Sequence, residues 1–99
     1  MTVAHYQFTV NATTPTELTG ITSTGKRNGL TLILNTDKNN NVAVFIGDST
    51  VTNTNFGYHM DADETLNLSG FFDATDRLYA VCASGGAGSA VLHVLVVGK

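Results

Sequence analysis

The sequence predicts an all-β chain: a single antiparallel β-sandwich, jelly-roll or immunoglobulin-like, of seven to eight short strands. Three observations predict it. Apolar residues recur with a period of two along most of the chain, and no window carries the 3.6-residue period of a long amphipathic helix. Clusters of Gly, Asn, Asp and Ser punctuate these runs at short spacing. Only 13% of residues are charged against 42% hydrophobic. The polar remainder is largely Thr, Asn, Ser and Gly, which suit half-buried pleats and tight turns. Ninety-nine residues make one domain, residues 1–99, able to bury somewhat more than about 60% of its extended-chain surface.

Taken in order, residues 3–10 read as a strand. Ala4, Tyr6, Phe8 and Val10 lie on one face, and Val3, His5, Gln7 and Thr9 on the other. Pro15, the only proline, closes this element because it cannot donate to a ladder. Residues 17–23 form a weaker strand, with Leu18 packing near Ile21. Residues 25–29 are a turn. Residues 30–35 follow as a strong strand with Leu30, Leu32 and Leu34 inward. The polar stretch 37–41 favours local side-chain bonding and left-handed backbone. With the strand at 42–47 it predicts a hairpin.

Residues 48–57 are a Thr/Asn-rich connection with a short strand near Val51. Tyr58 to Met60 forms another short strand. A turn at Asp61-Ala62-Asp63 leads into a strand over 64–69 with Leu66 and Leu68 inward. Residues 70–76 are irregular, with at most one helical turn. The last strands cover 78–83 and 90–97, joined by the glycine-rich hairpin loop 84–89.

Charge and composition exclude several function classes. Five Lys and Arg stand against eight Asp and Glu, a net charge of −3. Lys26-Arg27 is the one adjacent basic pair. Counterion release needs clustered cations, so a nucleic-acid partner is not expected. No apolar run approaches the roughly 20 residues of a membrane helix. The N-terminus lacks the charged and apolar regions of a signal peptide, so synthesis and retention in a cytoplasm are expected. Asn11-Ala12-Thr13 and Asn67-Leu68-Ser69 match the glycosylation pattern, but without secretion they read as polar strand or turn residues. The lone Cys82 has no internal disulfide partner and reads as a buried thiol.

Candidate chemistry is sparse. Asp37, Asn39 and Asn41 fit the first ligand positions of a calcium loop, with Asp48 at the twelfth. Val42 stands where the sharp turn needs Gly, and strand residues follow, so the stretch reads as a polar loop. His59, Asp61, Asp63 and Glu64 form the densest polar cluster. Such groups can bind a divalent ion, although a solvated turn has the same composition. Cys82 with His93 on a neighbouring strand makes a conceivable pair, but the apolar run around Cys82 argues for burial. No Gly-x-Ser-x-Gly elbow occurs. The 85–89 glycine-rich stretch lacks the Lys-Ser/Thr ending of a phosphate loop. No catalytic residue, metal or cofactor is expected. Eight aromatics and no Trp give a weak platform for sugars. Adjacent Phe71 and Phe72 cannot both point inward from an extended chain, so a partner subunit is expected to cover one.

From residue 42 onward the order of signals becomes specific. Val42-Ala43-Val44-Phe45-Ile46-Gly47 precedes Val51-Thr52-Asn53-Thr54-Asn55-Phe56-Gly57-Tyr58. Then come Glu64-Thr65-Leu66-Asn67-Leu68, Arg77-Leu78-Tyr79-Ala80-Val81, Ala83-Ser84-Gly85 and the closing Ala90-Val91-Leu92-His93-Val94-Leu95. This order resembles a group of small tailed-bacteriophage structural proteins. Two departures stand out: Asp63 replaces the usual Gly before Glu64, and Phe56 separates Asn55 from Gly57. The resemblance implies a virion protein, most simply a capsid decoration or cement protein. Such a protein would assemble in the host bacterial cytoplasm, bind the major capsid protein on the outside of the head, and form a homo-oligomer with a trimer favoured. The resemblance does not reach residues 1–41. Contact is expected there through Met1, Thr2, Val3, Ala4, His5 and Tyr6, added as a strand to a neighbour's sheet edge, and elsewhere through the aromatic residues Phe56, Tyr58, Phe71 and Phe72. The alternative expectation is a tail- or fibre-associated module that binds a host-surface glycan.

Overall fold

The computed structural model describes residues 2–18, 30–70, 77–85 and 88–98. Eight strands run through them: β1 (Thr2–Asn11), β2 (Thr16–Glu17), β3 (Leu30–Thr36), β4 (Val44–Gly47), β5 (Tyr58–Met60), β6 (Thr65–Gly70), β7 (Tyr79–Cys82) and β8 (Ser89–Gly98). They form two four-stranded antiparallel sheets, ordered β1-β8-β3-β6 and β2-β7-β4-β5. The chain is all-β in these residues, as its alternation predicts.

Strand order selects between the two sandwich types. β1 pairs with β8, β2 with β7, β3 with β6 and β4 with β5, all antiparallel. This is one long hairpin whose arms are folded into two layers, the jelly-roll arrangement. Seen along the chain, the connection β4–β5 stays within one sheet, and every other connection crosses between sheets.

The core between the layers follows from the alternation. Val10, Leu32, Leu34, Val44, Met60, Cys82 and Leu92 are fully buried, and Val94 and Val96 are 1% exposed. Ala4, Tyr6, Phe8, Leu66 and Leu68 pack against them from partly buried positions. These are the faces that the period of two assigns inward. A smaller cluster of Phe45, Val51 and Val81 lies on the opposite side of the β2-β7-β4-β5 sheet. Val51 reaches it from the β4–β5 connection, where a Cβ on Gly47 would stand 2.9 Å from Val51 Cγ2. Glycine at 47 is what lets the connection fold down.

Two expected hairpins are corrected. β3 and β4 are not paired: they lie in opposite sheets. The polar loop after β3 docks on β8 instead. Asn40 Nδ2 donates to the Val91 carbonyl and Asn40 Oδ1 accepts from the Val91 N–H, both at 2.9 Å. The Asp37 N–H adds a 3.1 Å bond to the same carbonyl. The Asn40 amide thus mimics a strand peptide, and a local rule for hairpins is overridden. β7 and β8 also lie in opposite sheets, so the glycine-rich segment joins layers. No strand forms at Val51; its connection is closed by the Asp48 carboxylate, which accepts from the N–H and hydroxyl of Thr50 at 2.9 and 2.6 Å. The rest of the 17–23 strand, the 25–29 turn and the helical turn at 72–75 lie outside the described residues.

The β1–β2 corner is tied by Asn11 Oδ1, which accepts from the N–H groups of Thr13 and Thr14 at 3.0 and 2.7 Å. Pro15 then precedes β2, where the missing N–H matters least. The β5–β6 turn hangs on Thr36, the one buried polar residue of the described core. Its hydroxyl donates to the Asp61 carbonyl and accepts from the Glu64 N–H at 2.9 Å. Asp63 in this turn has φ +58°. Left-handed backbone favours Gly, and Asp is among the few other residues that adopt it readily. The Gly-to-Asp departure therefore falls on the residue whose backbone needs that freedom.

Candidate functional site

The sandwich leaves two outward surfaces of different character. The first is the solvent side of the β1-β8-β3-β6 sheet. Alternation turns Val3, His5, Gln7 and Thr9 outward on β1, and the register sets Val3 beside Val97, His5 beside Leu95 and Gln7 beside His93. On β3, Thr31, Ile33 and Asn35 continue these rows. Val3 is 63% exposed and Leu95 37%. With Ile33 and Val97 they make an apolar strip across three strands. His5, Gln7, Asn35 and His93, with Ile33 and Leu95, line a shallow groove of about 210 Å³.

At the groove's end His93 Nε2 lies 3.0 Å from Asp37 Oδ1. That contact, followed by the Asn39 N–H, holds the Asp37 carboxyl below the usual carboxylate value of 3.8. A carboxylate depressed in the folded state favours folding fully above its unfolded value and loses that contribution as pH falls. The Asp37 contribution is therefore complete above about pH 5 and is lost progressively as pH drops further. In a carbon-detected NMR titration the Asp37 carboxyl should titrate below 3.8, and His93→Ala should move it upward. A wild-type midpoint at or above the ordinary value would contradict the contact.

The second surface surrounds the β4–β5 connection. Phe45, 7% exposed, faces away from the main core because Val44 and Ile46 face into it. Its ring lies 4.6 Å from Phe56 and 5.3 Å from His59. Phe56 is 43% exposed and Tyr58 44%. Tyr58 pairs with Ile46, so it sits on the core side of β5 near its open end, and Phe56 sits on the other side.

The expected contact residues are thus distributed rather than gathered. Val3 and His5 are on the first surface. Ala4 and Tyr6 turn toward the core and are partly buried. Phe56 belongs to the second surface. Met1, Phe71 and Phe72 lie outside the described residues, and Thr2 is described in its backbone alone. Leu95, Ile33 and Val97 complete the apolar strip. Sequence reasoning missed them because the outward face of β8 is apolar apart from His93, and because Ile33 stands between the inward Leu32 and Leu34 of β3.

The polar clusters resolve into structural contacts. His59 Nε2 stands 3.3 Å from Asp61 Oδ1, but Glu64 Oε1 accepts from the Asp61 N–H at 2.6 Å, as a turn brace. Asp37 accepts from the Asn39 N–H at 3.0 Å. Among the described residues, no three His, Cys, Asp or Glu side chains are grouped to hold a metal ion. The expected proximity of Cys82 and His93 is corrected: Cys82 is buried between the sheets, and His93 faces outward on the other sheet. Burial pushes the Cys82 thiol up, which disfavours the reactive thiolate.

No protein-family model matches the sequence, and no match to it is found among the curated proteins.

Proposed function

We propose that this jelly roll is a non-enzymatic structural protein of a tailed-phage virion, a decoration protein that binds the outside of the head and stabilises it. The observation that carries the reading is the open apolar strip of Val3, Ile33, Leu95 and Val97. An apolar strip rimmed by polar groups is a common mark of a protein contact surface. The ordered motifs from residue 42 onward, with their resemblance to small phage structural proteins, support the same reading. The partner is the major capsid protein, met at the virion surface after assembly in the host bacterial cytoplasm. A specific contact buries about 800 Å² per partner. Repetition over the shell, with copies joined as a homo-oligomer, converts modest contacts into firm retention.

Jelly rolls serve capsid and lectin domains alike, and a fold does not choose its function. The exposed rings of Phe56 and Tyr58 favour, as second reading, a glycan-binding module on the tail or a fibre. Copy number separates the two. The decisive experiment bands DNA-filled particles from a lysate of the source and counts this chain per particle. Hundreds of copies support decoration of the head; a few, or a few tens, move the chain to the tail or a vertex. Absence from particles rejects both virion readings. Leu95→Asp is then expected to reduce particle retention at least about tenfold, roughly 1.4 kcal/mol, with the fold preserved. Unchanged retention would show that the strip is not the contact.

A further inference from the structure

We propose that two copies of this chain pair through the free edge of β1, antiparallel about a twofold axis near Tyr6, joining their β1-β8-β3-β6 sheets into one of eight strands. The pairing does not rest on the virion reading.

Ladder parity identifies the free groups. Val91 on β8 exchanges hydrogen bonds with Asn40 and receives the Asp37 N–H, all on the β3 side of β8. Successive residues of a strand direct their backbone groups to alternate sides. Odd-numbered residues of β8 therefore face β3, and even-numbered ones face β1. The register pairs Ala4 with Val96, Tyr6 with Val94 and Phe8 with Leu92. The even residues of β1 thus bond to β8, and the N–H and C=O groups of Val3, His5, Gln7 and Thr9 point out of the sheet. Among the described residues, no other segment bonds to them.

An edge of this kind is a template for another strand, and proteins usually block it with Pro, Lys, a bulge or short length. β1 has none of these. Thr2–Asn11 contains no Pro, Asp, Glu, Lys or Arg, and its ten pairs with β8 run without a register break. The other sheet edges are two, three and six residues long at β2, β5 and β6. Burial points the same way. Ala4, Tyr6 and Phe8 face the core but stay partly buried, while their partners Val96, Val94 and Leu92 are at most 1% exposed. The core is left open along the β1 border.

A second β1 is the occupant that fits. An antiparallel edge is self-complementary about a twofold axis. Odd residues meet odd residues, so the core faces of both copies align and each open border closes on the other. With the axis at Tyr6, His5 of each copy lies opposite Gln7 of the other, and Ala4 lies opposite Phe8, small against large. No like charges meet. The shared ladder is roughly 30 Å long at about 3.4 Å per residue. The unit is a dimer rather than the trimer that the resemblance implies.

Sedimentation and amide exchange on the full chain test the pairing together. Mass should rise from one chain to two as concentration increases. Over that range the amides of Val3, His5, Gln7 and Thr9 should slow at least about tenfold, while those of Ala4, Tyr6 and Phe8 stay protected throughout. Gln7→Pro removes an outward N–H and leaves the β8 ladder intact, since Pro is tolerated on edge strands. It should abolish the dimer while retaining the β-sheet circular dichroism. Should Gln7→Pro not fold, the wild-type exchange pattern still decides. A chain that stays monomeric at about 1 mM, the millimolar end of the affinity scale, overturns the proposal. So does a trimer, or a dimer whose four outward amides exchange as fast as in the monomer.

Discussion

Leu92→Ala is expected to lower the unfolding free energy by about 3 kcal/mol and the melting temperature by roughly 12–24 °C. Leu92 is fully buried. It lies on β8, between β1 and β3, opposite Phe8 on one side and Thr36 on the other. Truncation removes the transfer energy of its side chain and leaves a void that three paired strands cannot collapse without shifting register. A domain of this size has about 5–15 kcal/mol in total, so one residue controls a large share. Leu95→Ala is the control. It sits three residues along the same strand, on the outer face and 37% exposed, and should cost less than about 1 kcal/mol. Chemical denaturation of both variants checks the pair. Equal losses would mean that β8 does not present Leu92 to the core.

Thr36→Val is the second large effect, an expected loss of about 1–3 kcal/mol from removing a single hydroxyl. Valine fills the same space, so no cavity contributes. The loss comes from the Asp61 carbonyl and the Glu64 N–H, both of which lose the partner that Thr36 supplies. An unpaired polar group in a protein interior is penalised more than a hydrogen bond is rewarded. Thr36→Ser keeps the hydroxyl and should retain most of the stability, losing only one methyl's burial, about 0.8 kcal/mol. If Val matched the wild type and Ser did not, packing rather than hydrogen bonding would hold the β5–β6 turn. Asp61 and His59 meet at this turn, so its amide shifts should move in Thr36→Val and stay in Thr36→Ser.

Much of the core was legible in the sequence because alternation is a local property. Ala4, Tyr6, Phe8 and Val10 against Val3, His5, Gln7 and Thr9 sort themselves by polarity. Leu32 with Leu34, and Leu66 with Leu68, do the same. Where both faces of a strand are apolar the signal fails. In β8, Leu92, Val94 and Val96 are buried while Leu95 is open, and in the run Val91-Leu92-His93-Val94-Leu95 His93 alone marks the outward face. That is why the apolar strip emerged only once β8 was paired on both sides. The deep burial of Thr36 was hidden for a similar reason, since a threonine at a strand end is ordinary in sequence.

The sequence by itself determined an all-β sandwich, most of its strand positions among the described residues, most of its inward residues and its low charge. All of these follow from composition and a two-residue period, which depend only on near neighbours along the chain. The tertiary structure alone decided which strands pair. The loop after β3 could have closed a hairpin by local rules, yet Asn40 finds its partner at Val91, 51 residues away. The order 1-8-3-6 over 2-7-4-5, and with it the open strip and the free edge of β1, rests on such long-range bonds. They form because unpaired backbone groups and apolar faces must all be satisfied at once, a condition that no short window of sequence expresses.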